Sequence, residues 1–210
     1  HGRRFVQPPG TAERSTWVAF HQWSPRTATM RIIAGEWRRH TLRAPTGEGT
    51  RPTADRTRET LFSMLASRLG TFDGLAVGDL FAGSGALGLE ALSRGAASCL
   101  FVEQDAAALR VLKANIATMR AESRCTVHAG SATQIGAARQ MLDLVLLDPP
   151  YGSGAGAVVL DRMARLGWIS PASWIALEVA AKEEVRLPAF TIDTERKVGS
   201  ARIVLARLSE

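Results

Sequence analysis

The chain is predicted to fold as an α/β domain around a doubly wound, mostly parallel sheet that ends in an antiparallel hairpin. Three observations predict it. Short apolar runs at 75–81, 99–102, 124–128 and 144–147 are separated by helical segments, the pattern of parallel strands covered on both faces. A glycine-rich turn, Gly83-Ser84-Gly85-Ala86-Leu87-Gly88, stands where the first of these strands gives way to a helix. The C-terminal stretch instead carries a strand at 174–179 and then Phe190–Val198 and Ala201–Leu208, joined by Gly199-Ser200 as a hairpin.

Taken in order, residues 1–29 mix Pro8, Pro9, Gly10 and Pro25 with Trp17 and Trp23 and show no periodicity. They read as a tag, a mis-set start or a flexible tail. Residues 30–70 form a basic extension. In it, runs at 31–34 and 37–42 make a hairpin around Gly35-Glu36, and residues 45–51 make a loop. Pro52 then opens a helix with Thr53 as cap, Asp55 in its first turn, and Leu61, Met64, Leu65 and Leu69 as one apolar stripe. Residues 71–210 form the main domain. Its helices are expected at Ala86–Ser93, closed by Gly95, and at 106–120, with a weaker one before the strand at 144–147. No repeat or low-complexity tract interrupts this order.

Of 210 residues, 46% are hydrophobic and 22% charged, which excludes wholesale disorder, collagen-like repeats and a coiled coil. No apolar run approaches the roughly 18 residues of a membrane helix. Two cysteines, Cys99 and Cys125, are too few for a disulfide scaffold, so a reducing, cytoplasmic setting is expected. Charge is concentrated in residues 1–60, where eleven arginines face five acids and account for the whole net charge of +6. Guanidinium forks suit phosphates, so a nucleic-acid partner on the N-terminal side is expected. An arginine-biased genome would give the same composition with no such partner.

The chemistry lies in two constellations. Gly83, Gly85 and Gly88 fit G-x-G-x-x-G, which lets backbone approach a bound nucleotide without Cβ clashes. Glu103 ends the next strand, where a carboxylate can accept from ribose hydroxyls, so a nucleoside cofactor is implied. Asp79 does nothing for a pyrophosphate but suits a cationic amino group, such as that of S-adenosylmethionine. A satisfied strand-end carboxylate is the plainer reading of it.

The second constellation is Asp148-Pro149-Pro150-Tyr151, at the C-terminal end of the strand at 144–147. Proline fixes φ and removes a donor, leaving the Pro149 carbonyl and the Asp148 carboxylate as acceptors facing the cleft. Two acceptors can bind both hydrogens of one amine and aim its nitrogen at a methyl electrophile. Tyr151 can stack on a planar ring, worth about 1–3 kcal/mol. A Pro-Pro loop with a surface tyrosine would need no function at all.

Asp79-x-Phe81-x-Gly83-x-Gly85 followed by Asp148-Pro149-Pro150-Tyr151 resembles the S-adenosylmethionine-dependent amino-methyltransferases. More narrowly, residues 30–35 (MRIIAG), Arg51-Pro52-Thr53-x-Asp55-Arg56-x-Arg58-Glu59 and residues 79–95 (DLFAGSGALGLEALSRG) resemble the RsmD family. That family methylates guanine N2 in bacterial small-subunit (16S) ribosomal RNA. The resemblance implies a Rossmann-like, seven-stranded methyltransferase sheet with S-adenosylmethionine as cofactor. It places Asp79, Phe81, Gly83 and Gly85 at the methionine end, Glu103 at the ribose and Asp148 to Tyr151 at the target amine. Where such enzymes usually carry an aspartate near the adenine, this chain has Ser131, which can still accept a hydrogen bond.

Arg31, Arg38, Arg39, Arg51, Arg56 and Arg58 would meet phosphates of folded ribosomal RNA or of the small subunit, giving position rather than sequence. The sulfonium of such a cofactor is itself a strong electrophile, so no covalent nucleophile is expected, and no metal is expected because His40 and His128 lack ligand-spaced partners. A monomer is expected. The Asp-Pro-Pro-Tyr loop alone leaves adenine N6 in DNA or RNA, or a protein amide, open as the target. The glycine loop alone would allow a nicotinamide-dependent oxidoreductase, and Ser131, by weakening one cofactor contact, would allow a non-catalytic RNA-binding relative.

Overall fold

The computed structural model describes residues 30–44 and 52–210. Residues 1–29, the loop at 45–51 with Arg51, and the side chains of Pro52 and Thr53, including the expected cap, lie outside them. Nine strands and four α-helices follow one another among the described residues: β1 (Met30–Arg31), β2 (Thr41–Leu42), α1 (Pro52–Leu69), β3 (Ala76–Leu80), α2 (Ala86–Ser93), β4 (Ser98–Glu103), α3 (Ala106–Thr118), β5 (Cys125–Ala129), β6 (Leu144–Leu147), α4 (Ala155–Arg165), β7 (Trp174–Ala180), β8 (Phe190–Val198) and β9 (Ala201–Leu208).

The main sheet has seven strands in the order β5-β4-β3-β6-β7-β9-β8. The five from β5 to β7 are parallel, and β9 inserts antiparallel between β7 and β8. The doubly wound class and the terminal hairpin are as expected. Every residue of β3 and β6 is buried, as strands covered on both sides must be. Val77, Phe101, Leu144 and Leu146 pack with Leu61 and Leu65 of α1, Leu89 and Leu92 of α2, and Leu112 and Ile116 of α3. Leu80, Val102, Val145 and Leu147 on the other face pack with Val159, Leu160 and Met163 of α4.

Two expectations about helices need correcting. The weaker helix before β6 is absent, and a single 3₁₀ turn at Ala132–Gln134 stands in its place. The amides of that segment bond outward, Ala138 N–H to Leu166 O and Leu142 N–H to Trp168 O, so no helical ladder closes. The helix α4 was not anticipated, because Gly152, Gly154 and Gly156 mask its start. Its stripe of Gly156, Val159, Leu160 and Met163 has the i, i+3, i+4, i+7 spacing that marks a helix face.

The N-terminal hairpin is also shorter than the sequence suggests, pairing only Met30 with Leu42 and Arg31 with Thr41. Side chains of α2 take the backbone groups that longer strands would have paired. Glu90, fully buried, accepts from Ile33 N (2.7 Å) and Ala34 N (3.1 Å). Ser93 Oγ accepts from Trp37 N and donates to Ala34 O. Gly35 lies so close that a Cβ there would sit 1.8 Å from Ser93 O. Trp37 packs on the domain, with Arg124 5.4 Å over its ring.

Candidate active site

The register of the parallel strands sets four carboxyl groups in a row at the C-terminal edge of the sheet. Leu80 pairs with Val102 of β4 and Leu147 of β6, and Leu147 pairs with Leu177 of β7. Glu103, Asp148 and Glu178 each stand one residue beyond that rung, and Asp79 one before it. The order across the edge is therefore Glu103, Asp79, Asp148, Glu178.

At the first end, the glycine loop is built on carboxylates. Glu103 Oε2 accepts from Gly83 N (2.8 Å), while Oε1 accepts from Gln104 N and Asp105 N (both 2.8 Å). Asp79 is 1% exposed, and its Oδ2 accepts from Gly88 N at 2.9 Å, inside the first turn of α2. Burial pushes the Asp79 carboxyl up to about 8; the bond from Gly88 opposes this, and the Asp148 and Glu103 charges add to it. Phe81 follows with φ of 70°, a left-handed conformation rare outside glycine, as its own N–H and that of Ala82 both turn to Val102 O. Gly85, with φ of 80°, is required twice over, since a Cβ there would lie 2.4 Å from Leu112 Cδ1. Asn115 of α3 holds the turn by donating to Ser84 O.

The Asp-Pro-Pro-Tyr loop forms the other end. Asp148 and Pro150 are exposed and Pro149 is buried. Tyr151 is 52% exposed, while its hydroxyl donates to Glu178 Oε1 at 2.7 Å. Glu183, just past β7, accepts from Gly152 N (2.9 Å) and Ala180 N (3.3 Å). Burial raises the Glu178 carboxyl, against the bond from Tyr151. Sequence reasoning left Glu178 without a role and passed over Glu183, because neither forms a motif; parallel register alone brings them to the loop.

Ser131 opens the 3₁₀ turn beside Glu103, to which Gly130 N–H bonds at the backbone, and its Oγ lies 2.9 Å from Thr133 Oγ1. Arg31, Arg38, Arg39 and Arg56 are exposed. Arg58 departs from expectation. It is 6% exposed, and its guanidinium donates to Arg31 O and Asp55 Oδ1, so it braces the extension from inside and presents no charge to a phosphate. Burial raises the thiol of Cys99 and pushes that of Cys125 up to about 12, which fits inert core cysteines. Among the described residues, no group of three or more His, Cys, Asp or Glu could hold a metal ion, and no helix is long and apolar enough to cross a membrane.

A cavity of about 630 Å³ lies elsewhere, on the flank of β4 and β5 between Leu100, Thr126, Ile135, Leu142 and Trp168. Polar groups line it too, among them Thr126, His128, Arg139 and Gln140, but none of the four carboxyl groups of the row does. A nucleoside cofactor fits that row. A Cβ on Gly83 would meet nothing within 4 Å, so the loop backbone faces open space, with Glu103 at its side.

A parallel sheet of this order, with a glycine loop after β3, an acid at the end of β4 and Asp-Pro-Pro-Tyr after β6, defines an S-adenosylmethionine-dependent methyltransferase. The family described as Conserved hypothetical protein 95 matches residues 30–207, and the chain belongs to it. Ribosomal RNA small subunit methyltransferase D of Escherichia coli (strain K12) is 38% identical over 149 residues, 71% of this chain and 74% of that protein. The protein of the same name from Haemophilus influenzae is 33% identical over 81% of this chain and 89% of its own length. The solved structure of yhhF from Escherichia coli superposes with a TM-score of 0.74 at 34% identity, covering 86% of this chain and 98% of that one.

Proposed function

We propose that the protein transfers a methyl group from S-adenosylmethionine to the exocyclic N2 amine of a guanine in small-subunit (16S) ribosomal RNA. The observation that carries this reading is the join of the two constellations. The loop that would hold the cofactor and the loop that would hold an amine lie on the adjacent strands β3 and β6, and Asp148 is close enough for its charge to act on Asp79. The curated relatives named above supply the RNA.

The bound cofactor supplies an electrophilic methyl on a sulfonium. Gly83 and Gly85 give its backbone bed, Phe81 its wall, Glu103 and Ser131 its nucleoside side, and Asp79 the acid facing its ammonium. Asp148 and the Pro149 carbonyl accept the two amine hydrogens and aim the nitrogen lone pair along the line of transfer. Tyr151 stacks on the base, with Pro150 shaping the turn. The proton leaves after transfer, to Asp148 or to water. Arg31, Arg38, Arg39 and Arg56, together with Arg51, meet RNA phosphates. Residues 30–70 are the RNA-facing extension and 71–210 the methyltransferase domain. The enzyme acts as a monomer in the cytoplasm.

The test is methyl transfer from labelled S-adenosylmethionine to small ribosomal subunits lacking their native modifications, with the product nucleoside identified by mass spectrometry. N2-methylguanosine is expected. A different methylated base would discard guanine N2, and no transfer at all would discard the activity.

A further inference from the structure

The row of carboxyl groups runs past the amine site. Glu103, Asp79 and Asp148 are accounted for by cofactor and amine, yet one more strand along stands Glu178, joined by its Oε1 to the Tyr151 hydroxyl at 2.7 Å. Leu147 pairs with Leu177, so Glu178 stands level with Asp148, one strand over on the side away from the cofactor strands. A guanine whose amine meets Asp148 and whose ring lies on Tyr151 can turn either its N1–H or its N3 edge toward that side, and only N1–H can donate to a carboxylate.

The purines differ at that edge. Beside the N2 amine of guanine stands N1–H, a donor, whereas beside the N6 amine of adenine stands N1, an acceptor. A carboxylate there takes a hydrogen bond from guanine and sets its lone pairs against those of adenine. Tyr151 fixes which way the carboxyl turns by donating to Oε1, which leaves Oε2 to meet the base. The same bond favours the ionised, accepting form against the effect of burial.

We propose that Glu178 is the specificity-determining residue of the base site, reading guanine through N1–H while the Asp148 loop holds its N2 amine. This rests on the guanine-N2 reading above and adds to it the group that tells guanine from other amines accepted by an Asp-Pro-Pro-Tyr loop.

The experiment uses the full chain and an RNA containing the nucleotide that the transfer assay identifies. The RNA is synthesised with either guanine or 2,6-diaminopurine at that position. Diaminopurine keeps the N2 amine but presents N1 as an acceptor and carries an amine in place of O6, so the reading of N1 is isolated by how the preference changes between the wild type and Glu178→Gln. The wild-type protein is expected to favour guanine by on the order of tenfold or more in kcat/KM, the scale of one specific base-edge contact. Glu178→Gln, whose amide can donate to N1, should narrow or invert that ratio while S-adenosylhomocysteine raises the melting temperature as in the wild type.

A merely structural Glu178 would lower both substrates alike, and an unchanged ratio in Glu178→Gln overturns the proposal. Equal wild-type use of both bases overturns it as well. If the wild type makes no N2-methylguanosine, the guanine-N2 reading fails first and takes this inference with it. Should Glu178→Gln fail to fold, Tyr151→Phe removes the donor that orients the carboxyl. The ratio should then fall toward one, and a wild-type ratio would sink the idea.

Discussion

Glu103 and Asp79, at the cofactor end of the row, direct their carboxyl oxygens to backbone amides of their own βα unit, at sequence separations of 20 and 9 residues or fewer. The target end is held from outside. Tyr151 and Gly152 are anchored by Glu178 and Glu183, separated from them by 27 and 31 residues. One end is a stretch of chain folded on itself around the buried Asp79; the other is an exposed loop tied to the next strand. A bed for an invariant cofactor can be built locally, whereas a site that admits one base of a large RNA must stay open and take its support from neighbours.

The largest expected effect tests whether the two ends are separable. Asp148→Ala should lower the single-turnover rate of transfer by on the order of 10²–10³, the loss typical of one preorganised polar partner. RNA binding should stay near wild type in a filter-binding titration, and a matching loss there would show that the loop serves binding rather than alignment.

The closed end can be probed by pH without substrate. Asp79 titrates near 3.8 when unfolded and about 8 when folded, so its stabilising contribution is complete below pH 4 and is lost as pH rises through 8. Asp79→Asn keeps the acceptor for Gly88 N–H and removes the titration. Melting temperatures from pH 5 to 9 should therefore fall less steeply in the variant than in the wild type. Parallel curves would mean that Asp79 is ionised throughout.

The smallest effect separates two arginines of α1 that the sequence grouped together. Arg56→Ala should reduce the salt slope of RNA binding by about 0.7 to 0.9, one phosphate contact, with stability unchanged. Arg58→Ala should leave the slope alone and cost about 1–3 kcal/mol in denaturant unfolding, since the Arg31 carbonyl and Asp55 lose their donor.

The same contrast explains what was legible in the sequence. Strands β8 and β9, helix α2 and the glycine loop are specified by residues adjacent in the chain, so apolar runs and turn residues locate them. Asp148 to Tyr151 were visible as a motif, but their supports were not. Glu178 and Glu183 reach them only through the β6–β7 pairing, which no local pattern encodes. Arg58 was misread for a related reason. Composition counts charges but not their direction, and only the position of the Arg31 carbonyl turns that guanidinium inward.

The fastening of residues 30–44 to α2 and α3 also has an evolutionary consequence. Glu90 and Ser93 take up its backbone amides, and Asn115 clasps Arg43 with the same amide that holds Ser84 of the glycine turn. The leading segment is thus not an interchangeable cassette. Exchanging it for one that docks on another substrate would take two backbone donors from buried Glu90, leaving it the Arg94 guanidinium, and loosen the nucleotide bed behind it, so altering exposed side chains on the retained frame is the less disruptive route to a new substrate range.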